Sequence, residues 1–583
     1  MLTTTAELQA SSLGGSPLRT SLERERKRLP LVQHYLEEQA QLTAVERFSQ
    51  LHETTLLPAQ SKYYRSLLPV SKPKSGQQYA FSVDLDRCSG CKACVTACHS
   101  LNGLDEGETW RAVGLLHGGT PSSPLQQTVT TACHHCIEPA CMEGCPVNAY
   151  EKDAVTGIVR HLDDQCIGCQ YCTLTCPYEV PQFNKKLGIV RKCDMCSDRL
   201  AADEAPACVQ GCPNEAIAIR IVDTAQIVED VQADAFLPGA PSPGITLPTT
   251  EYKTKRVFPK NTLPADFYNV RPAHNHFPLV VLLVLTQLSV GAFSVNYVVT
   301  SFYATDAVQR YHALVALALG LVALAASTLH LGRPQYGFRA IMGFRHSWMS
   351  REIAGFGAFA ALAVAYAAGA WADPLLGALG LPALDPLWSV HLQRWLGAAV
   401  VISGLGAVGC SAMLYAVTRR ELWRLSYSGP RFLGTCAVLG LSLTLVTFSA
   451  AAYFGTAVSG VVLAGLCQSL FAASAFKLLL DASVLAHLKS PRVTDLKRTA
   501  LLMWGELATH TQARFLLGAV GGLGIPLLLP AFFSPRAPQV HLSNAPLALA
   551  ALGCVLLVGG ELIERSLFFM AAASPKMPGA VGK

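Results

Sequence analysis

The chain has 583 residues, 51% hydrophobic and only 15% charged, with a formal net charge of +6. So little charge excludes an ordinary soluble protein of this length, and the apolar excess lies almost wholly after residue 276. The net charge says little about nucleic acid, and no nucleic-acid motif occurs. The start, MLTTTAELQASSLGG, has neither a basic head nor an apolar core, so no secretory signal is expected.

Residues 1–77 are polar. The stretch LERERKRLPLVQHYLEEQAQLTAVERFSQLHE reads as helix interrupted near Pro30, with apolar residues at helical spacing. It is expected to be a solvated or subunit-docking arm, not a catalytic segment. Residues 78–223 then hold sixteen of the twenty cysteines, in four groups of four. The groups are Cys88, Cys91, Cys94 and Cys98; Cys133, Cys136, Cys141 and Cys145; Cys166, Cys169, Cys172 and Cys176; and Cys193, Cys196, Cys208 and Cys212. Close triplets wrap three corners of an iron–sulfur cubane. The fourth cysteine, followed by Pro in three groups, turns away to the neighbouring cluster. Sixteen thiolates therefore fit four [4Fe–4S] clusters. A single C-x2-C would favour zinc; four quartets, three ending in Cys-Pro, do not. Disulfides are not expected, because thiolates this close are spent as ligands. The pattern repeats, so two ferredoxin-like halves are expected, with YAFSVDLDRC, GIVRHLDDQC and EAIAIRIVD as flanking strands. Four clusters in one small domain pass single electrons along a line.

Residues 224–276 contain PGAPSPG and a basic, Pro-containing run. They read as an extended linker crossing the surface. The membrane region is expected over 277–573, leaving 574–583 as a C-terminal tail. Its eight apolar spans are roughly 277–300, 308–330, 352–371, 391–417, 432–453, 457–488, 513–533 and 545–572. Each is long enough to cross a bilayer with some tilt. An even number returns the C-terminus to the side of the cluster domain.

Loops and span ends on that side carry thirteen Arg and Lys residues, from Arg333 to Arg514; the opposite side carries Arg310, Arg394 and Arg536. The positive-inside rule then predicts a multi-pass protein of a bacterial plasma membrane, its cluster domain on the cytoplasmic side. Ionisable groups inside spans usually mark a pathway or a site. Lys477 with Asp481, and Glu561 with Arg565, are four apart and are expected to neutralise each other along one helix face. His330 and Glu352 have no such partner and face the same water boundary beside the cluster domain. They are the candidates to exchange protons with a quinone, although a histidine at a helix end also serves as a plain interfacial residue. Haem is not expected, since His312, His330, His391 and His487 form no pair facing across helices.

CIGCQYCTLTCPYEVPQFN, at 166–184, resembles the third cysteine group of the iron–sulfur subunit of dimethyl sulfoxide reductases, and all of 78–223 is similar to that subunit. FPLVVLLVLTQLSVGAF and STLHLGRPQYGFRAIMGFRHSWMSREI resemble the eight-helix membrane anchor of the same enzymes, part of a wider polysulfide-reductase-like group. The chain looks like a fusion of two subunits usually made separately. The resemblance implies an α+β double-ferredoxin-like iron–sulfur domain fused to an all-α eight-helix transmembrane bundle. It implies four ligand sets: Cys88, Cys91, Cys94 with Cys212; Cys98 with Cys193, Cys196, Cys208; Cys133, Cys136, Cys141 with Cys176; and Cys145 with Cys166, Cys169, Cys172. The last set would lie nearest the membrane. It implies a menaquinol site at His330 and Glu352, and a separate catalytic subunit carrying a molybdenum pterin cofactor. Two features depart from the family. Relatives often work outside the membrane, whereas the loop charges here argue for the inside, and neither the N-terminal arm nor the fusion linker belongs to the pattern.

The expected function is oxidation of menaquinol or ubiquinol near His330 and Glu352, with electrons passing through four [4Fe–4S] clusters to the molybdenum partner. The protein places and tunes cofactors that carry the hard chemistry. Three alternatives stand beside it: the same chain run in reverse as a quinone reducer, a redox-coupled ion translocator, and a zinc scaffold without redox chemistry.

Overall fold

The structure, a computed structural model, describes residues 31–54, 60–303, 306–380, 382, 386–574 and 576–579. The expected interruption at Pro30 lies outside them. The arm beyond it is two helices, α1 (Leu31–Ala40) and α2 (Ala44–Thr54). The break between them is a capping box. Thr43 Oγ1 accepts from the Glu46 N–H at 3.2 Å, and Glu46 Oε2 accepts from the Thr43 N–H at 2.7 Å. Leu31, Val32, Tyr35, Leu36 and Val45 stay exposed on this arm.

The cluster domain follows as β1 (Gln77–Asp84), α3 (Ala93–Leu101), the hairpin β2 (Ala112–Thr120) and β3 (Ser123–Thr131), two small hairpins β4–β5 (Tyr150–Lys152, Val159–His161) and β6–β7 (Gln182–Asn184, Ile189–Arg191), and β8 (Ile217–Asp223). β1 and β8 pair antiparallel from Gln77↔Asp223 to Val83↔Ile217, so the first and last strands close the domain. Their apolar residues, Phe81, Val83, Ile217 and Ile219 among them, are buried.

Residues 224–276 differ from the expected extended crossing. They open with α4 (Thr224–Gln232), capped by Asp223, whose carboxylate accepts from the Ala225 N–H. β9 (Glu251–Lys253) then runs parallel to β1, and β10 (Leu263–Pro264) runs antiparallel to β2. Each sheet had an open edge that a third strand satisfies. Proline does not prevent this, because an edge strand spends only half of its backbone groups.

Among the described residues, eight helical spans are long and apolar enough to cross a bilayer. They are α5 (Phe277–Phe302), α6 (Asp306–Thr328), α7 (Trp348–Ala378), α8 (Pro386–Ala416), α9 (Leu425–Tyr453), α10 (Gly460–Ala482), α11 (Ala508–Ala519) and α12 (Asn544–Met570). The seventh span continues past α11 to Phe532 through a π turn at Val520–Gly524, where glycines and Pro526 loosen the helix ladder. α5 and α9 are the most enclosed. They cross backbone to backbone, since a Cβ on Gly291 would meet the Cys436 carbonyl at 1.9 Å.

The expected pairs of Lys477 with Asp481 and of Glu561 with Arg565 are not the contacts that form. Lys477 of α10 meets Glu561 and Glu564 of α12 at 3.0 and 3.6 Å. Asp481 meets Arg431 of α9 and Arg514 of α11 at 3.3 and 3.0 Å, and Arg514 also meets Glu561 at 2.8 Å. Arg565 leans on Glu564 and over the Phe432 ring. The i,i+4 spacing put these groups on common faces, and those faces turned to neighbouring helices, where partners lie closer. The result is a buried ionic network that ties four helices together.

Two segments bind the membrane part to the cluster domain. Residues 329–347 fold up as a loop with a short 3-10 stretch, Pro334–Ile341. The Gly332 N–H donates to the Gly168 carbonyl, the Arg333 N–H to Ile167, and the Gly343 N–H to Pro146 at 2.8 Å. Arg333 and Arg339 side chains donate to the carbonyls of Asp163 and Asp164. After α12 the chain turns back. Lys576 pairs with Asp266 at 2.9 Å, Met577 is buried beside Leu116 and Val129, and the Gly579 carbonyl accepts from the Leu115 N–H.

Candidate functional site

None of the sixteen cysteines of the four groups is in a disulfide, and most of them are buried. The loops that carry them repeat one turn. Cys91 is followed by Lys92 and Cys169 by Gln170, both left-handed, with φ of 64° and 61°. Each begins a short helix bearing the next cysteine, Cys94 or Cys172. The folding brings together residues distant in sequence. Cys94 shares its surroundings with Cys208 and Cys212, and Cys98 with Cys208 and Cys196. Cys141 lies among Cys176, Cys133 and Cys136, while Cys172 lies among Cys169, Cys145 and Cys166.

No three His, Cys, Asp or Glu side chains among the described residues converge closely enough to hold one metal ion. A zinc site needs four ligands at about 2.0–2.3 Å from one centre. Cysteines gathered in fours are the ligand complement of a cubane, whose irons sit between the sulfurs. Backbone N–H groups point at several of them: Ala149 at Cys145, Gly168 at Cys166, Met195 at Cys193 and Ala216 at Cys212, at 3.2–3.4 Å. Such bonds favour negative charge on sulfur and tune cluster potentials. Burial pushes the Cys98 thiol up to about 12 and raises Cys94.

Two buried cations that sequence reasoning missed stand among these cysteines. Arg111 is 2% exposed and Lys192 is 3% exposed. Neither carries a motif; only a charge beside β-strand residues hinted at them.

Where the cluster domain meets the membrane part, a cavity of about 250 Å³ opens. Cys169, Gln170 and Tyr171 form its cluster-side wall. Leu279, Leu283, Leu324 and Phe356 make it apolar, and His276, His330, Glu352 and Tyr415 supply polar atoms. The structure thus brings His330 and Glu352 to one space, beside a cysteine-bearing loop. It does not leave them at an open water boundary. Glu352 is 8% exposed, one turn inside α7, and accepts from Ser411 Oγ of α8 at 2.5 Å. His330 follows the last turn of α6, near the Ser327 carbonyl. Neither ring nitrogen has a partner in hydrogen-bonding geometry, and burial lowers its pKa to about 4. The loop 329–347 roofs the site through Leu331, Gly337 and Ala340. Tyr171 Oη donates to the Leu414 carbonyl at 2.6 Å, pinning the Cys169–Cys172 turn to α8. Ser411, Tyr171 and His276 were not legible in advance: one hydroxyl in an apolar span, one ring between cysteines and one histidine at a helix start carry no pattern. His312, by contrast, uses both ring nitrogens on Thr447 and the Ala292 carbonyl, away from this cavity.

Comparison with known proteins accords with this division. Residues 126–221 match the family described as 4Fe-4S dicluster domain. Residues 272–570, half of the chain, match DMSO reductase anchor subunit (DmsC). The B subunit of the anaerobic dimethyl sulfoxide reductase of Escherichia coli (strain K12) is 37% identical over 172 residues, covering 28% of this chain and 83% of that relative. Thiosulfate reductase electron transfer subunit PhsB of Salmonella typhi is 39% identical over 153 residues, 26% of this chain and 79% of that relative. Hydrogenase-2 operon protein HybA of Escherichia coli O157:H7 is 35% identical over 160 residues, 23% of this chain and 49% of that relative. With a cysteine-lined electron path in front and eight apolar helices behind, the chain belongs to the DMSO reductase anchor subunit family and joins to that anchor the electron-transfer iron–sulfur part of such reductases.

Proposed function

We propose that this chain oxidises quinol in the cavity at His330 and Glu352 and delivers the electrons, through four [4Fe–4S] clusters, to a separate molybdenum-bearing catalytic subunit. The observation that carries this reading is the convergence of three things in one cavity: an apolar wall, two groups able to take protons, and the Cys169 loop. When bound, the clusters accept and pass on single electrons. The four ligand sets are those expected from the resemblance, and the side-chain neighbourhoods of Cys98, Cys141 and Cys172 support three of them.

Glu352 and His330 each take one of the two protons released. His330 is neutral at ordinary pH and has free ring nitrogens, so it can accept one. Ser411 orients the Glu352 carboxylate toward the cavity. The apolar wall excludes water, so the protons go to these two groups. The names of the relatives, a dimethyl sulfoxide reductase subunit and a thiosulfate reductase subunit, support reduction of an oxidised acceptor by the partner. The excess of Arg and Lys in the loops beside the cluster domain supports a cytoplasmic position for it in a bacterial plasma membrane.

The test is Glu352→Gln. Quinol-driven reduction of the clusters should be lost while iron content and chemically reduced cluster spectra match the parent protein. Parent rates in that variant would overturn the assignment.

A further inference from the structure

Lys192 has no ion-paired surface role; it is sealed inside the cluster domain. An ammonium has three N–H donors and no acceptor. Here Nζ donates to the Val159 carbonyl, to the Cys193 carbonyl at 2.9 Å, and toward Cys133 Sγ at 3.8 Å. All three donors are used, so the geometry is that of the charged form. The sulfurs facing it belong to two different ligand sets: Cys193 to one, Cys133 and Cys141 to the next. Arg111 repeats the arrangement one junction along. Its guanidinium lies over the Phe81 ring at 4.6 Å, donates to Thr130 Oγ1 at 3.3 Å, and leaves Nη2 without a hydrogen-bond partner. The thiols around it are Cys94 of one set and Cys98, Cys193 and Cys208 of the next.

We infer that Lys192 and Arg111 are fixed positive charges placed between successive clusters, and that each raises the reduction potential of the two clusters flanking it. This rests on the four-cluster reading and not on the quinol site. The physics is direct. A cluster gains one negative charge on reduction, so a nearby cation stabilises the reduced form more than the oxidised one. In a buried site the attraction is weakly screened. Cys98, Cys193, Cys196 and Cys208 make the one set that adjoins both cations. Neither residue touches substrate; both act through the clusters, as positioning residues for charge. Each also answers a cost of the fold, since sixteen thiolates buried together repel one another.

The experiment is a redox titration of the intact membrane protein, followed by electron paramagnetic resonance, for Lys192→Met, Lys192→Gln and Lys192→Arg. At a fixed ambient potential the reduced-to-oxidised ratio should fall at least roughly tenfold in two of the four clusters in the Met and Gln variants. For a one-electron couple that is a shift of about 59 mV to lower potential. The other two clusters should keep their potentials, and Lys192→Arg should keep all four. Unmoved potentials in the neutral variants, or an equal shift in all four clusters, would overturn the inference. Should both neutral variants fail to assemble clusters while Lys192→Arg assembles them, the charge is again supported, because arginine preserves charge and not shape. Failure of all three variants would mark a requirement for shape and overturn it. Absence of four cluster signals in the parent protein would instead overturn the cluster reading itself.

Discussion

Gly332 is the tightest backbone contact between the roof of the cavity and the loops that carry Cys169 and Gly188. Its N–H donates to the Gly168 carbonyl at 3.3 Å, and the next N–H, of Arg333, donates to Ile167 at 3.1 Å. A Cβ at Gly332 would stand 2.0 Å from the Gly188 carbonyl oxygen, about 1.4 Å short of ordinary contact. That obstacle is backbone, so no side chain can swing aside. In Gly332→Ala the loop must lift from the Cys169 turn and break both hydrogen bonds. Those are worth about 1 kcal/mol each, and forced overpacking adds about 1–3 kcal/mol. The docking of loop 329–347 should therefore weaken by about 3–5 kcal/mol. The assay has two arms: quinol-driven cluster reduction, expected to drop sharply, and reduction of the same clusters by a soluble chemical reductant, expected to be unchanged. Thermal unfolding in detergent should also begin at lower temperature. Parent stability together with the parent quinol-driven rate would refute the argument that this backbone contact holds the site together.

Cys169→Ser should alter the spectrum of one cluster and slow its reduction by quinol more than its reduction by a chemical reductant; an unchanged spectrum contradicts the ligand grouping. His330 has its pKa depressed from about 6.5 to about 4 by burial, so the unfolded chain binds its proton first. The resulting stability is complete above about pH 6.5 and is lost as pH falls toward 4, an effect of about 3 kcal/mol. Thermal stability measured against pH should show this slope, and His330→Gln should flatten it. Lys477→Met removes one cation from the buried network and leaves Glu561 to Arg514 and Glu564 to Arg431 and Arg565, so it should lower stability by about 1–3 kcal/mol, less than the loss of a sole partner. The double variant with Glu561→Gln should recover part of that loss, and strict additivity in the unfolding data would argue against the pairing.

The cysteine spacing made the cluster domain legible, because a covalent ligand pattern survives as spacing whatever the rest of the fold does. The eight spans were legible from length and apolarity, with ends shifted by a few residues; α7 begins at Trp348, so Glu352 lies deeper than its place at a span start suggested. What could not be read was tertiary. The i,i+4 pairs of Lys477 with Asp481 and of Glu561 with Arg565 pointed along one helix, yet partners across helices were nearer. The run at 224–276 showed prolines and low hydrophobicity, but not that two sheet edges awaited β9 and β10. His330 and Glu352 were legible as isolated ionisable groups; the closed roof over them depends on Gly332, Gly168 and Gly188 meeting in space, which no local pattern encodes.

Loop 329–347 turns Phe338, Ile341, Met342 and Phe344 outward while its backbone is fastened to the cluster domain. On the quinol oxidation proposed above, a roof fastened in this way leaves the gaps between helices as the entrance for a hydrophobic reductant from the lipid phase. Turnover then follows the mole fraction of that reductant in the bilayer and not its nominal amount per volume of buffer. Diluting vesicles with water should leave the rate untouched, whereas diluting the same quinol with added phospholipid should lower it.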